Sequence, residues 1–193
     1  RECWPARWAA LSAQWSLGSN ELAYWEHIAA NMYSGLDEST GLIEQFRGYF
    51  GLEDIDPATL DLRTAPVDVV LGRDRVQRSQ LIKQPDVVML LHLLWDEFTP
   101  EVRERNFRYY EARCVQGSSL SPAIHALVAA RIGDLRLALR HLRQAAGIDL
   151  DAHIGDASGG VHIGALGGLW QAVCFGIGGL TLSGSSPALV PHL

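Results

Sequence analysis

Three stretches of this chain are apolar on every side, and they alternate with stretches that are charged on one side. Residues 86–95 (DVVMLLHLLW), 122–131 (PAIHALVAAR) and 166–175 (LGGLWQAVCF) carry almost no polar face. Between them, residues 101–113 are rich in charge, behind a Thr99 cap with Pro100 at the first helical position. Residues 134–146 are amphipathic and put Arg136, Arg140 and Arg143 on one solvated face. A helix that is apolar all round has to be enclosed, whereas an amphipathic one can cover it and face water. The alternation therefore predicts an all-α fold in two layers, with inner helices wrapped by outer ones. No self-similarity recurs at a fixed period, which argues against a solenoid. A closed toroid of hairpins would take about twelve helices, and the chain supplies about seven, so part of a barrel is expected.

The remainder is less regular. Asn20 is placed to cap a helix over residues 21–33, with Leu22, Trp25, Ile28, Ala29 and Met32 on one stripe. Residues 34–65 are punctuated by Gly35, Gly41, Gly48 and Gly51, which suggests a long loop over a functional face. Residues 68–82 read as helix despite Gly72. From residue 178 the composition turns to Gly, Ser and Pro with Leu180 and Leu182 alternating, as in an extended exit segment. The expected division is a helical body over 1–178 and an exit segment over 179–193.

At 193 residues the chain can enclose one sizeable core. The net charge is −6 with scattered positives, so no basic stripe points to nucleic acid, and no apolar run of membrane length indicates a span. Cys3, Cys114 and Cys174 lie far apart and are odd in number, which favours reduced thiols and a cytoplasmic setting. Cys174 reads as core filling. The start at Arg1 and Glu2 has no initiator Met and no signal peptide, and reads as a cut edge.

Fifteen arginines stand against one lysine, Lys83, which is followed by Gln84 and Pro85 just before the first apolar helix. An ammonium is not interchangeable with a guanidinium at a tight polar site. Lys83 is thus either a hydroxyl- or anion-binding anchor or a side chain that snorkels at a helix end. Gly117, Ser118 and Ser119 precede Ser121, a good N-cap, and Pro122, a good first residue. Free N–H groups, two hydroxyls and the helix dipole suit such a place to phosphate, although a capped helix without ligand has the same pattern. Five glycines fall within residues 159–168, each costing a helix about 1 kcal/mol relative to Ala, which implies close approach of a ligand or another helix. His162 among them is either a hydrogen-bonded core residue or a ligand contact, and Trp170 either stacks on a sugar or fills the core. His27, His92, His125, His141 and His153 show no metal-binding spacing, and no metal is expected. Glu111, Asp96 and Glu97 read as structural or solvated charges.

Taken in order, several blocks resemble glycoside hydrolase family 65, the family of maltose, trehalose and kojibiose phosphorylases. They are residues 41–46 (GLIEQF), 52–56 (LEDID), Lys83 with Gln84, 106–111 (NFRYYE), 118–122 (SSLSP), 160–163 (GVHI) and 168–173 (GLWQAV). The likeness runs from about residue 20 to the end and corresponds to the C-terminal half of the family's catalytic domain. It implies a partial (α/α)6 barrel, cut at both ends, from an enzyme that cleaves α-glucosidic disaccharides with inversion. The activity implied is phosphorolysis to β-glucose 1-phosphate and glucose, with inorganic phosphate as co-substrate and no cofactor. A hydrolase of the same family and a non-enzymatic helical interaction module are the alternatives.

On this resemblance Lys83 and Gln84 bind the glucosyl hydroxyls, and Ser118, Ser119 and His162 bind phosphate. No catalytic residue is assigned, because the family's general acid is a glutamate upstream of the matched region and residues 1–20 hold no such motif. The fragment by itself is then expected to be inactive, and its parent is open to being a homodimer. Two departures bear on the reaction. Gln116 and Gly117 stand where many phosphorylases have His and Asp, and Gly159 stands where many have Glu. Neither supplies a base carboxylate, which leans toward phosphorolysis, while loss of the His and Asp leans against a typical phosphate site.

Overall fold

The structure is a computed structural model that describes residues 3–62, 65–115, 117–150, 160–182 and 186–192. Arg1, Glu2, Gln116, His153 and Gly159 lie outside those residues. Contacts divide the chain into residues 1–34 and residues 35–193.

The first unit holds α1 (Pro5–Trp15) and α2 (Ser19–Asn31), neither of which buries a residue. Asn20 is not the cap of α2. Glu21 N–H already bonds the Gly18 carbonyl, so Gly18 ends the extended approach and Asn20 sits inside the first turn. Trp25, Ile28 and Met32 of the expected stripe are exposed.

In the second unit a hairpin of β1 (Leu36–Asp37) and β2 (Leu42–Ile43) opens the long loop. Asn106 secures it like a missing strand: its side chain accepts from Ile43 N–H at 2.7 Å and donates to the Gly41 carbonyl at 2.7 Å. Tyr110 donates to the Ile43 carbonyl. Residues 68–82 are not one helix. α3 (Val67–Val70) and α4 (Arg73–Gln77) are separated by Gly72, whose φ of +78° leaves the helical region. The chain then runs extended, and its bridges from Ser79 to Glu53 and from Ile82 to Cys114 take up the backbone groups a helix would have used.

The alternating helices follow as α5 (Asp86–Leu93), α6 (Pro100–Glu111), α7 (Ser121–Arg131), α8 (Leu135–Gly147) and α9 (Ile163–Gln171). Thr99 caps α6 with Pro100 in its first turn, as expected, and Asp134 caps α8 by accepting from Leu137 N–H. α5, α7 and α9 are parallel. At the start of α7, Ser121 donates to the Lys83 carbonyl just before α5, and at its end Arg131 reaches His92 near the end of α5. Along α9, Gly164 lies against Leu120, Gly168 against Ala123, and Gly176 against Leu127. α6 returns antiparallel to α7: Phe107 packs on His125, while Arg103 and Arg131 both lie over Trp95. α8 returns through the turn at Gly133, keeping Arg136, Arg140 and Arg143 in water.

Enclosure is complete only for α7, in which residues 121–130 are all buried. α5 buries Val87, Val88 and Leu91 but leaves Leu93 and Leu94 exposed, because the helix ends there and a tight turn at Trp95–Glu97 follows. On α9, Trp170 is 57% exposed and Cys174 beyond it is half-buried, so the described residues enclose neither fully. The segment beyond residue 178 turns back on itself: β3 (Leu180–Thr181) pairs antiparallel with β4 (Ala188–Leu189), and His192 N–H bonds the Ile177 carbonyl.

The glycines of the third apolar helix let two backbones meet. A Cβ on Gly176, in the wide turn Ala172–Ile177 that extends α9, would lie 2.9 Å from Leu127 Cα, whereas one on Gly167 would meet nothing within 4 Å. Gly176→Ala is therefore expected to destabilise the fold by about 1–3 kcal/mol through overpacking, and Gly167→Ala to stabilise it by about 0.5–1 kcal/mol. Urea denaturation of the two variants checks both signs.

Candidate functional site

Parallel packing places the N-terminal ends of α5, α7 and α9 at one end of the second unit, and the expected site residues lie there. Lys83 and Gln84 follow Ile82, whose backbone bonds to Arg113 and Val115 bring this corner beside the loop before α7. Ser118 donates to Gln84 Oε1 at 3.1 Å and accepts from Leu120 N–H at 3.2 Å. Ser121 is not the N-cap of α7. Its hydroxyl, buried with the rest of α7, donates to the Lys83 carbonyl at 2.8 Å, and the helix begins after Leu120. A Cβ on Gly117 would stand 4.0 Å from Lys83 Cε.

Lys83, Gln84 and Ser118 are thus brought into one cluster, with Ser119 half-buried in the same turn. Lys83 is exposed, and among the described residues its ammonium makes no hydrogen bond or salt bridge, so it is free to meet a ligand. It also lines a cleft of about 660 Å3 with Leu62, Val67, Asp68, Val76 and Gly117.

His162 caps the same end of α9 and is not a core residue. It is not bonded to the serine turn; its Nδ1 donates to Asp149 Oδ1 at 2.7 Å, and its N–H to Asp149 Oδ2 at 2.9 Å. That double grip fixes the ring and leaves Nε2 for a ligand. The bond from the His162 ring also holds the Asp149 carboxyl below its usual range. Sequence reasoning missed Asp149, since no motif links residues 149 and 162 and only the fold brings them together.

The other carboxylates near the turn in sequence are occupied. Glu111 accepts from His141 Nε2 at 3.3 Å and pairs with Arg140 at 2.6 Å; its carboxyl is held low, first by the His141 bond. Asp96 and Glu97 lie at the far end of α5, in a second cleft of about 650 Å3 with His92, Trp95 and Arg131. There burial pushes the Arg131 guanidinium down to about 10, and its plane stacks 3.8 Å over Trp95. Among the described residues no group of three or more His, Cys, Asp or Glu could hold a metal ion, and no helix is long and apolar enough to cross a membrane.

A polar network missed by sequence reasoning supports the cluster from the side of the long loop. Gln80 donates to the carbonyls of Phe50 and Leu52 and accepts from Tyr109 and Arg113. Arg113 stacks 3.7 Å over Tyr109 and pairs with Asp54 at 2.6 Å. The blocks at 41–46, 52–56 and 106–111 therefore act together as one brace.

These features define a mostly helical domain with a polar corner at one end, and residues 6–171 match the glycosyl hydrolase family 65 central catalytic domain. The chain belongs to this family, in agreement with the resemblance carried by its ordered blocks. It is similar to a kojibiose phosphorylase of Halothermothrix orenii, 36% identical over 178 residues that make up 92% of this chain and 23% of that protein. A 1,2-alpha-glucosylglycerol phosphorylase of Bacillus selenitireducens is 37% identical over 196 residues, 96% of this chain and 25% of its own length. Among solved structures, a candidate kojibiose phosphorylase from human microbiome superposes with a TM-score of 0.86 at 30% identity, over 94% of this chain and 24% of that one. The chain thus spans about a quarter of the length of these relatives.

His125 lies behind the serine turn, fully buried, and burial pushes its imidazole from 6.5 down to about 4. Between those values the unfolded chain binds a proton that the folded chain refuses, so stability is full above about pH 6.5 and falls as pH drops toward 4. The loss for this group is on the order of 3 kcal/mol, and His92, depressed first by burial, adds in the same direction. His125→Leu should flatten the difference in unfolding free energy between about pH 7.5 and about pH 4.5. An unchanged difference, measured with urea, would contradict this assignment.

Proposed function

We propose that this chain is the C-terminal part of the α/α-barrel catalytic domain of an inverting α-glucoside phosphorylase. One observation carries the reading. Lys83 and Gln84, at the start of one parallel helix, are tied to Ser118 and Ser121, at the start of the next. Helix N-termini with free N–H groups and hydroxyls favour an anion, and an ammonium beside them favours it further. The relatives named as kojibiose, maltose and trehalose phosphorylases support the same chemistry. The parallel order of α5, α7 and α9, with α6 and α8 returning between them, supports an inner and an outer ring. Exposed Ile163, Leu166, Trp170 and Val173 on the third helix and its extension are the kind of surface that the rest of a barrel would cover.

Inverting glycosidases use one carboxylic acid to protonate the leaving oxygen and a second carboxylate to activate water. Phosphate is already a nucleophile, so a phosphorolytic site needs the acid alone. Ser118, Ser119 and His162 would hold phosphate at one face of the glucosyl ring, with Asp149 presenting the His162 ring. Lys83 and Gln84 would hold glucosyl hydroxyls, and the acid would come from chain outside this segment. The substrate class is an α-glucosidic disaccharide.

The test uses the full-length protein with kojibiose, maltose, trehalose and nigerose, each with and without phosphate. Phosphate-dependent release of β-glucose 1-phosphate is expected; glucose release independent of phosphate would replace this reading with hydrolysis. Residues 1–193 alone should show no turnover. Lys83→Arg should lower kcat/KM by about ten- to a hundredfold while changing unfolding free energy by less than about 0.5 kcal/mol.

A further inference from the structure

Behind the serine turn runs a buried chain of polar groups that none of the proposed ligand contacts uses. His125 lies one turn into α7 with Nδ1 2.8 Å from the Ser121 carbonyl oxygen. A carbonyl only accepts, so Nδ1 carries the proton and Nε2 is left as an acceptor. Ser121 in turn donates its hydroxyl to the Lys83 carbonyl at 2.8 Å. The imidazole donor therefore grips the first residue of α7, and that residue grips the backbone of Lys83.

The far side of the ring shows what this arrangement costs. His141 of α8 stands 5.2 Å from His125, ring centre to ring centre, and donates through Nε2 to Glu111 of α6, which Arg140 also holds. His125 Nε2 and His141 Nδ1 are both buried without a partner among the described residues. Unpaired buried acceptors are unfavourable, and a leucine at 125 would fill a similar volume without creating one. Packing by itself gives no reason for histidine here. The donor on Nδ1 does.

We propose that His125 is a positioning residue for the anion-binding corner, holding the Ser121 carbonyl so that the Ser118–Ser119 turn stays in register with Lys83. The inference rests on the phosphorolysis reading for its effect on phosphate, but its structural part stands apart from that reading. Two variants separate donor from volume. His125→Asn keeps an N–H close to the place of Nδ1 but leaves a cavity, so it should be the less stable variant. His125→Leu fills the space but has no donor.

In the full-length protein, hydrogen exchange of amides 83–84 and 117–121 should quicken about tenfold in His125→Leu and stay near wild type in His125→Asn. The KM for phosphate should rise about tenfold in the Leu variant, with a smaller change in kcat, and by no more than about threefold in the Asn variant. Exchange and KM would then run opposite to the order of thermal stability. Should both follow stability instead, or should the Leu variant match wild type, the proposal is overturned. Absence of phosphate-dependent turnover in the wild-type protein would remove the phosphorolysis reading, and the exchange comparison would still decide the role of His125.

Discussion

The rest of the second unit is arranged around the enclosure of α7. Ten consecutive residues of that helix are buried, so each side of it needs a neighbour. α8 covers it through the hairpin, α6 through Phe107, α5 through the ends of both helices, and α9 through Gly168 against the Ala123 methyl and Gly176 against the Leu127 backbone. Glycine is required on the last side because only a bare Cα lets α9 come close enough to exclude water. The same enclosure forces the polar groups of α7 to find partners inside. Ser121 takes the Lys83 carbonyl, and His125 takes the carbonyl of Ser121.

The candidate site follows from that packing. Because the three apolar helices run parallel, their N-termini gather at one end, and the partial positive charge of each adds to the others. The loops that enter those helices carry Lys83 and Gln84, the serine turn, and His162. At the opposite ends of α5 and α7, Arg103 and Arg131 sandwich Trp95, and this cationic stack holds the far side together. One end of the bundle gathers polar loop residues around the Lys83 ammonium, and the other is built around side chains stacked on each other.

Much of the helical order was legible beforehand, because it depends on local spacing. Thr99 with Pro100 and the arginine face of α8 occur where capping and amphipathicity put them. Failures came where a distant partner outbid a local preference. Ser121 has the form of an N-cap, yet the Lys83 carbonyl takes its hydroxyl. Gly72 leaves the helical region with φ of +78°, and Glu53 and Cys114 then draw Ser79 and Ile82 into bridges, so the stretch at 68–82 that reads as one helix is not. The stripe on α2 is regular, and no core receives it. Lys83, Gln84 and the serines were singled out by composition and order, and the structure brings Lys83, Gln84 and Ser118 together, whereas nothing in the sequence marked Asp149 or Gln80. Both act on residues far along the chain, and nothing in their own neighbourhoods marks them.

The sequence by itself determined the mostly helical character, the alternation of enclosed and solvated helices, and the family, because these are written in the spacing of apolar residues and in ordered blocks; the short strands at 36–43 and 180–189 were not among them. Only the tertiary structure decided which way the helices run, that Ser118 meets Gln84, and that Asp149 holds His162. Those are contacts between residues far apart in the chain, and they exist only once α7 is enclosed.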